Sequence, residues 1–261
     1  MKFSGSKHLI VFGGGRMGLS HAAMAGLLEP NLQMTIVEPS FKTRIFLRLI
    51  TGKNIRVTDN LRASDIKKAT HAIIASPPKY HFTNFIQLRK AEFGGRLLIE
   101  KPVFVSVSEF LATDKVMSGY VLRHAHFWKS LKAALHEQVV RKISIQLETN
   151  QDFGLSSGSW RIEDTFPGQS LISEFGSHCI NLLIDLAPIE TLSISVKEFN
   201  KVILTNNDNV NCTIELLAKS PNVRKSVYTI LVETDVARFR TDFYSLEVLS
   251  FQNKEMVFES L

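Results

Sequence analysis

Three groups of residues in this chain have types and spacing suited to chemistry. The first is a glycine cluster, Gly13-Gly14-Gly15-Arg16-Met17-Gly18, in which Gly13, Gly15 and Gly18 follow a Gly-x-Gly-x-x-Gly spacing. Glycine permits a tight turn and a close approach to the backbone, and a helix that begins there offers unpaired N–H groups to an anion. The second is Lys101, an ammonium placed directly after a short apolar run and directly before Pro102. The third is a stripe of Glu174, His178, Asn181 and Asp185, at steps of four, three and four, which line one face of a helix. Each also has a plainer reading: a turn with no ligand, a lysine whose stem lies along the surface, and a solvated helix face. For Asp185 the solvated face is the better of the two.

Alternating elements must position these groups. His8–Phe12 is an apolar run that ends in the glycine cluster, and a helical pattern through Met17, Ala22, Ala23, Ala25, Leu27 and Leu28 follows until Pro30. Met34–Glu38, Ile55–Thr58, Ala72–Ser76 and Arg96–Glu100 read as further strands, the last two closed by Pro77-Pro78 and Lys101-Pro102. Helices are expected near 40–51, 79–91 and 106–117. Strand and helix in alternation call for a parallel sheet with right-handed crossovers and helices on both faces, a Rossmann-type α/β domain over residues 1–123. Glu38 ends the second strand 20 residues after Gly18, which is the context a dinucleotide fingerprint requires.

In that frame Gly13 makes the turn, Gly15 lets the backbone approach a pyrophosphate, and Gly18 lets helix and strand pack closely. Arg16 and Met17 open the helix whose free N–H groups meet the phosphates. Glu38 is placed to accept hydrogen bonds from a ribose 2′-hydroxyl, which favours NAD. Lys42 and Arg44 in the same loop could compensate a 2′-phosphate, so NADP stays open. Ligands of open α/β sheets bind beyond the carboxyl ends of the strands, so Ser76, Pro77 and Lys101 face the cofactor crevice.

Beyond about residue 124 the pattern changes. After a helix near 128–138, Lys142–Glu148 alternates strictly, as do parts of 190–199, 210–218, 225–233 and 243–250. Residues 124–261 therefore read as an α+β domain with an open, largely antiparallel sheet, helices on one face and the other face free. A long, mostly apolar helix from Ser170 to Leu186 carries the polar stripe. Trp160 sits in a Gly- and Ser-rich loop, where its indole could wall a substrate or equally pack beneath a surface turn.

Composition narrows the function classes. The 261 residues are 44% hydrophobic and 21% charged, an ordinary globular balance with strand-sized apolar stretches and no membrane span. The N-terminus lacks a signal-peptide pattern, which points to the cytoplasm. Cys179 and Cys212 show neither a disulfide framework nor a metal-ligand spacing, so two buried thiols and no metal are expected. The formal charge of +6 is scattered along the chain, which suits a dinucleotide and an anionic small molecule rather than nucleic acid.

Gly-Gly-Gly-Arg-Met-Gly-Leu-Ser-His-Ala (13–22), Ala-Ser-Pro-Pro-Lys-Tyr-His (75–81) and Ile-Glu-Lys-Pro (99–102) occur in that order and together resemble the Gfo/Idh/MocA oxidoreductases, the glucose–fructose oxidoreductase and inositol dehydrogenase group. Gly119–Arg123 is similar to the family's sixth strand, with Val121 for the usual Asn. Gly168, Leu171, Gly176 and His178 match a further motif, in which Glu174 replaces the usual Asp and two glycines are missing. The resemblance implies hydride transfer between nicotinamide and a hydroxyl or carbonyl carbon of a sugar, sugar derivative or polyol. It implies Lys101, His178 and Glu174 as the catalytic set: His178 on the reacting oxygen, Lys101 completing the acid–base pair, and Glu174 orienting one of them. An ammonium near a positively charged nicotinamide has its pKa lowered, which suits general acid–base work. His81 and Glu100 join the implied cofactor contacts, and Arg123 and Trp160 join His178 on the small-molecule substrate. A homo-oligomer, dimer or tetramer, would use the free face of the second sheet. Two alternatives stand beside this: imine or biliverdin-type C=N or C=C reduction on the same architecture, and a non-catalytic dinucleotide-binding regulator. Lys101 and His178 argue against the regulator, whereas Glu174 and the short second domain keep it in view.

Overall fold

The computed structural model describes residues 7–103, 115–148, 176–186, 193–198, 201–205, 210–217, 227–242, 245–250 and 256–259. The chain divides into two units, Met1–Gly119 and Tyr120–Leu261.

In the first unit, strands β1 (His8–Phe12), β2 (Gln33–Val37), β3 (Ile55–Thr58), β4 (His71–Ile74), β5 (Arg96–Ile99) and β6 (Val116–Ser118) form one sheet in the order β3-β2-β1-β4-β5-β6. All of its pairings are parallel. Helices α1 (Arg16–Leu28), α2 (Phe41–Ile50), α3 (Ala63–Lys68) and α4 (His81–Lys90) lie between the strands. Both faces of the sheet are covered, which is why its central strands read as unbroken apolar runs. On one face Leu9, Val11, Met34 and Ile36 pack with Ala22 of α1 and Leu47 of α2. On the other, Ile10, Phe12, Ile74 and Ile99 pack with Ile66 of α3 and Phe85 and Leu88 of α4. The strand order reverses between β1 and β4, so the carboxyl ends of those two strands flank the crevice in which such sheets take ligands.

Two expectations need correction here. Residues 116 and 117, expected at the end of a helix over 106–117 that otherwise lies largely outside the described residues, belong to strand β6, and the sixth strand is Val116–Ser118 rather than Gly119–Arg123. Val116 and Met117 find register beside Leu97 and Leu98 of β5, whereas Val121–His124 coil into a short 3-10 turn. The six-residue α3, too short to show a period, was not anticipated at all.

In the second unit α5 (His126–Ala134) precedes β7 (Val140–Glu148), and α6 (Ser177–Leu186) precedes strands β8 to β14. The sheet runs β14-β13-β12-β11-β7-β10-β9-β8, with β7 and β10 parallel and the other pairs antiparallel. Strict alternation turns Ile143, Ile145 and Leu147 of β7, and Tyr228, Ile230 and Val232 of β11, to one face. There they pack under Phe127, Trp128 and Leu131 of α5 and Cys179, Leu182 and Leu183 of α6. The hairpin partner β9 (Lys201–Thr205) and the strands β12 (Ala237–Thr241) and β14 (Met256–Glu259) extend the sheet beyond the segments that alternation marked.

Cys179 and Cys212 are both buried in this core as free thiols. Burial pushes Cys179 up to about 12 and Cys212 up to about 11, which removes thiolate at neutral pH. Neither thiol should react with Ellman's reagent at pH 8 in the native protein, and both should react once guanidinium unfolds it.

Candidate functional site

The turn between β1 and α1 is built backbone against backbone. Gly13 has a φ of +99°, a left-handed conformation that favours glycine, and its amide donates to the Val37 carbonyl at 2.9 Å. A Cβ on Gly13 would lie 2.7 Å from the Ala75 carbonyl oxygen and 2.8 Å from Ser76 Cα, so this turn touches the end of β4. A Cβ on Gly18 would overlap the Gly13 carbonyl oxygen. Gly15 differs: it caps α1 without a side-chain partner, and a Cβ there meets nothing within 4 Å. Arg16 and Met17 are exposed beside it, and the first turn of α1 holds no acid. Open room, unpaired N–H groups and the positive helix end fit the pyrophosphate of a dinucleotide.

Glu38 braces this turn from the end of β2. Its Oε2 accepts from the Gly14 N–H at 2.8 Å and its Oε1 from the Ser40 N–H at 2.8 Å. Each carboxylate oxygen keeps a second lone pair, so a ribose hydroxyl can still donate to it. Arg44 is committed within the protein. It donates to the carbonyls of Glu38 at 3.0 Å and Pro39 at 2.7 Å and pairs with Asp59 at 3.2 Å. Lys42, on the first turn of α2, is exposed.

Beyond β4, Ser76 is held through both of its oxygens. Asn84 of α4 donates to its hydroxyl at 2.9 Å, and its carbonyl lies 2.6 Å from Nε2 of His81. Pro77 leads into the short 3-10 turn Pro78–Tyr80. His81, implied as a cofactor contact, instead stands inside the protein with 1% exposure. Its Nδ1 lies 2.9 Å from the Pro102 carbonyl and 3.1 Å from that of Val103. Both ring nitrogens are thus spent on backbone, tying the end of β4 to the turn after β5.

Glu100 has a similar interior post. It is 6% exposed; its Oε1 lies 2.6 Å from Nε2 of His21 on α1, and its Oε2 accepts from the Lys101 N–H at 3.3 Å. Burial alone would raise this carboxyl, but the His21 hydrogen bond and charge, with the Lys101 N–H and charge, outweigh it and hold it below the usual glutamate range. The resemblance places Glu100 on the cofactor, whereas here its carboxylate joins β5 to α1. Lys101 follows it at the carboxyl end of the sheet, half-buried, in a cis peptide with Pro102.

In the second unit α6 presents His178 beside Tyr120, with ring centroids 5.7 Å apart and planes at 85°. Burial raises the Tyr120 phenol. One turn on, the Asn181 Oδ1 is buried with no hydrogen-bond partner among the described residues. Asp185 is no idle surface acid. It accepts from Arg123 at 2.6 Å, the Trp128 indole at 2.7 Å and Lys132 at 3.1 Å. Burial alone would raise its pKa, but those three donors outweigh it and bring it down. Arg123, implied on the substrate, is therefore engaged by Asp185. Glu174, Trp160 and Gly168 lie outside the described residues. Sequence reasoning passed over His21, Asn84 and Tyr120, although His21 and Asn84 each sit three residues after a residue already singled out, Gly18 and His81, on the same helix face.

No family model matches the chain, and no curated protein matches it either. Solved structures do. A proposed NADPH-dependent oxidoreductase of Desulfitobacterium hafniense aligns at a TM-score of 0.75 and 18% identity, over 98% of this chain and 84% of that one. Levoglucosan dehydrogenase in complex with NADH aligns at 0.74 and 16%, over 98% and 80%. The UDP-N-acetylglucosamine 3-dehydrogenase GnnA of Acidithiobacillus ferrooxidans aligns at 0.68 and 15%, over 97% and 83%. At these identities the likeness establishes a shared two-domain fold.

Two outcomes follow from the geometry. Gly18→Ala should cost about 1–3 kcal/mol in urea unfolding, since the helix must move off the Gly13 carbonyl. Because Asp185 has a lowered folded pKa, its contribution is present at neutral pH and lost as pH falls through the carboxyl range. Wild-type stability should therefore drop on acidification, and Asp185→Asn should be less stable at pH 7 with a shallower acid slope.

Proposed function

We propose that this chain is an NAD(P)-dependent oxidoreductase that exchanges a hydride between nicotinamide and a hydroxyl or carbonyl carbon of a sugar, sugar derivative or polyol. The observation that carries this reading is the glycine turn at the β1–β4 switch point. Gly15 opens it toward ligand, and Lys101 stands at the carboxyl end of the same sheet. The shared fold with levoglucosan dehydrogenase solved with NADH, and with GenD2 of gentamicin A biosynthesis solved with NAD, supports the cofactor and the substrate class.

Gly13, Gly15 and the N–H groups at Arg16 and Met17 hold the pyrophosphate, Glu38 the adenosine ribose, and Ser76 and Pro77 the crevice wall. With Arg44 bound to the Glu38 and Pro39 carbonyls, the carboxylate of Glu38 dominates the end of β2 and favours NAD. Bound nicotinamide supplies a hydride acceptor. Oxidising a secondary alcohol also requires loss of the hydroxyl proton, and Lys101 takes it as general base, returning it as general acid in the reverse direction. His178, steadied edge-on by Tyr120, binds the reacting oxygen, and Glu174 orients the acid–base pair. The second unit supplies substrate contacts and, through the free face of its sheet, contacts to further copies. The protein works as a homo-oligomer in the cytoplasm.

The test is direct. NADH fluorescence should show saturable binding, and NAD should raise the melting temperature more than NADP. A panel of sugars and polyols followed at 340 nm should yield a substrate for which Lys101→Ala lowers kcat by about 100-fold or more while NADH still binds. Wild-type turnover in Lys101→Ala would overturn the mechanism, and no thermal response to either nucleotide would overturn the cofactor assignment.

A further inference from the structure

The turn that carries Lys101 is gripped from both faces of the sheet. From the face covered by α1 and α2, His21 reaches Glu100 at 2.6 Å, and the same carboxylate accepts from the Lys101 N–H at 3.3 Å. From the face covered by α3 and α4, His81 stands against the carbonyls of Pro102 and Val103. Gly119, after β6, lies against the same carboxylate. Any Cβ there would lie 3.0 Å from the carboxyl carbon and both oxygens of Glu100, so the missing side chain makes room for it. The titratable groups that face it among the described residues are thus His21 from α1 and Lys101 from its own turn.

His21 is fixed in turn by the glycine turn. It sits one helical turn after Gly18, whose missing side chain lets α1 lie against Gly13, and Gly18 and Ala22 are the buried residues of that helix. A shift of α1 at its N-terminus therefore moves the nitrogen that holds Glu100. A buried carboxylate that loses its donor is costly, so Glu100 follows His21 rather than remaining behind.

We propose that His21 is a positioning residue that fixes Lys101 through Glu100, and so joins the helix of the glycine turn to the lysine. The inference rests on the reading of Lys101 as the proton-handling group, but it is measurable without cofactor or substrate. Glu100 places a negative charge beside Lys101, which favours the ammonium. His21, 2.6 Å from that carboxylate, holds it in place. Weakening either should lower the pH at which Lys101 titrates, and the two effects should not add, because one acts through the other.

The experiment is reductive methylation of the full chain with 13C-formaldehyde, followed by an NMR titration of the Lys101 signal, assigned with Lys101→Arg. Glu100→Gln should lower the Lys101 midpoint by about half to one pH unit, and His21→Leu should lower it in the same direction. The double variant His21→Leu/Glu100→Gln should titrate with Glu100→Gln alone. His21→Gln keeps an N–H donor toward Glu100 and should return the midpoint most of the way to the wild-type value. A purely structural role for His21 would lower the melting temperature and leave the midpoint unmoved. That result, or full additivity in the double variant, would overturn the proposal. If His21→Leu does not fold, the same cycle run with His21→Ala, which also removes the donor, decides by the same criterion. A chain that binds no NADH yet shows the non-additive shift would remove the oxidoreductase reading and leave this link standing.

Discussion

At Gly18 the first helix crosses the glycine turn so closely that its backbone meets the carbonyl of Gly13 with no side chain between them. The first unit depends on this contact. It sets the direction of α1, aims the N–H groups of its first turn outward past Gly15, and presses Gly13 against Ala75 and Ser76 at the end of β4. A parallel sheet supplies the rest, because right-handed crossovers carry successive helices to opposite faces when the strand order reverses. The crevice at the β1–β4 reversal is thus a consequence of chain path, and the glycines make it accessible to a ligand.

Charged and polar side chains then tie separate elements together where the strands end. Glu38 bridges β2 to the glycine turn, Glu100 bridges β5 to α1, and His81 bridges α4 to the ends of β4 and β5. Asp185 does the same in the second unit, gathering an arginine, an indole and a lysine from the segment around α5. Buried polar groups persist only when paired, so each of these residues is held by several donors or acceptors at once. Such anchored groups give a site fixed geometry, and they explain why residues next to the proposed functional positions are engaged by the protein itself.

The strands of the first sheet were legible because a strand buried on both faces must be apolar at nearly every position, and the runs at 8–12 and 96–99 each have a single polar residue, at the first position. Alternation revealed β7 and β11 for the converse reason, since their residues on one face are buried and those on the other are only partly buried or exposed. Short elements escaped. Val116–Ser118 has three residues and one neighbouring strand, and Ala63–Lys68 spans under two helical turns, so neither carries enough period to be seen. Of the candidate site, the glycine turn and Glu38 were legible in place. His81, Glu100 and Arg123 were legible as notable residues but their partners within the protein were not, because a polar side chain looks the same in sequence whether it faces a crevice or a neighbouring element.

By itself the sequence determined what is local: the turn that demands glycine at positive φ, the alternation of strand and helix, the two cysteines kept from any metal spacing, and the acid that ends the second strand. These follow from backbone sterics and from the periods of helix and strand, which act over a few residues. Tertiary structure alone decided the pairings. Glu100 meets a histidine 79 residues away and Asp185 an arginine 62 residues away. The partner of a buried charge is chosen by which strand and helix ends the sheet order brings side by side, and no pattern within either segment records that choice.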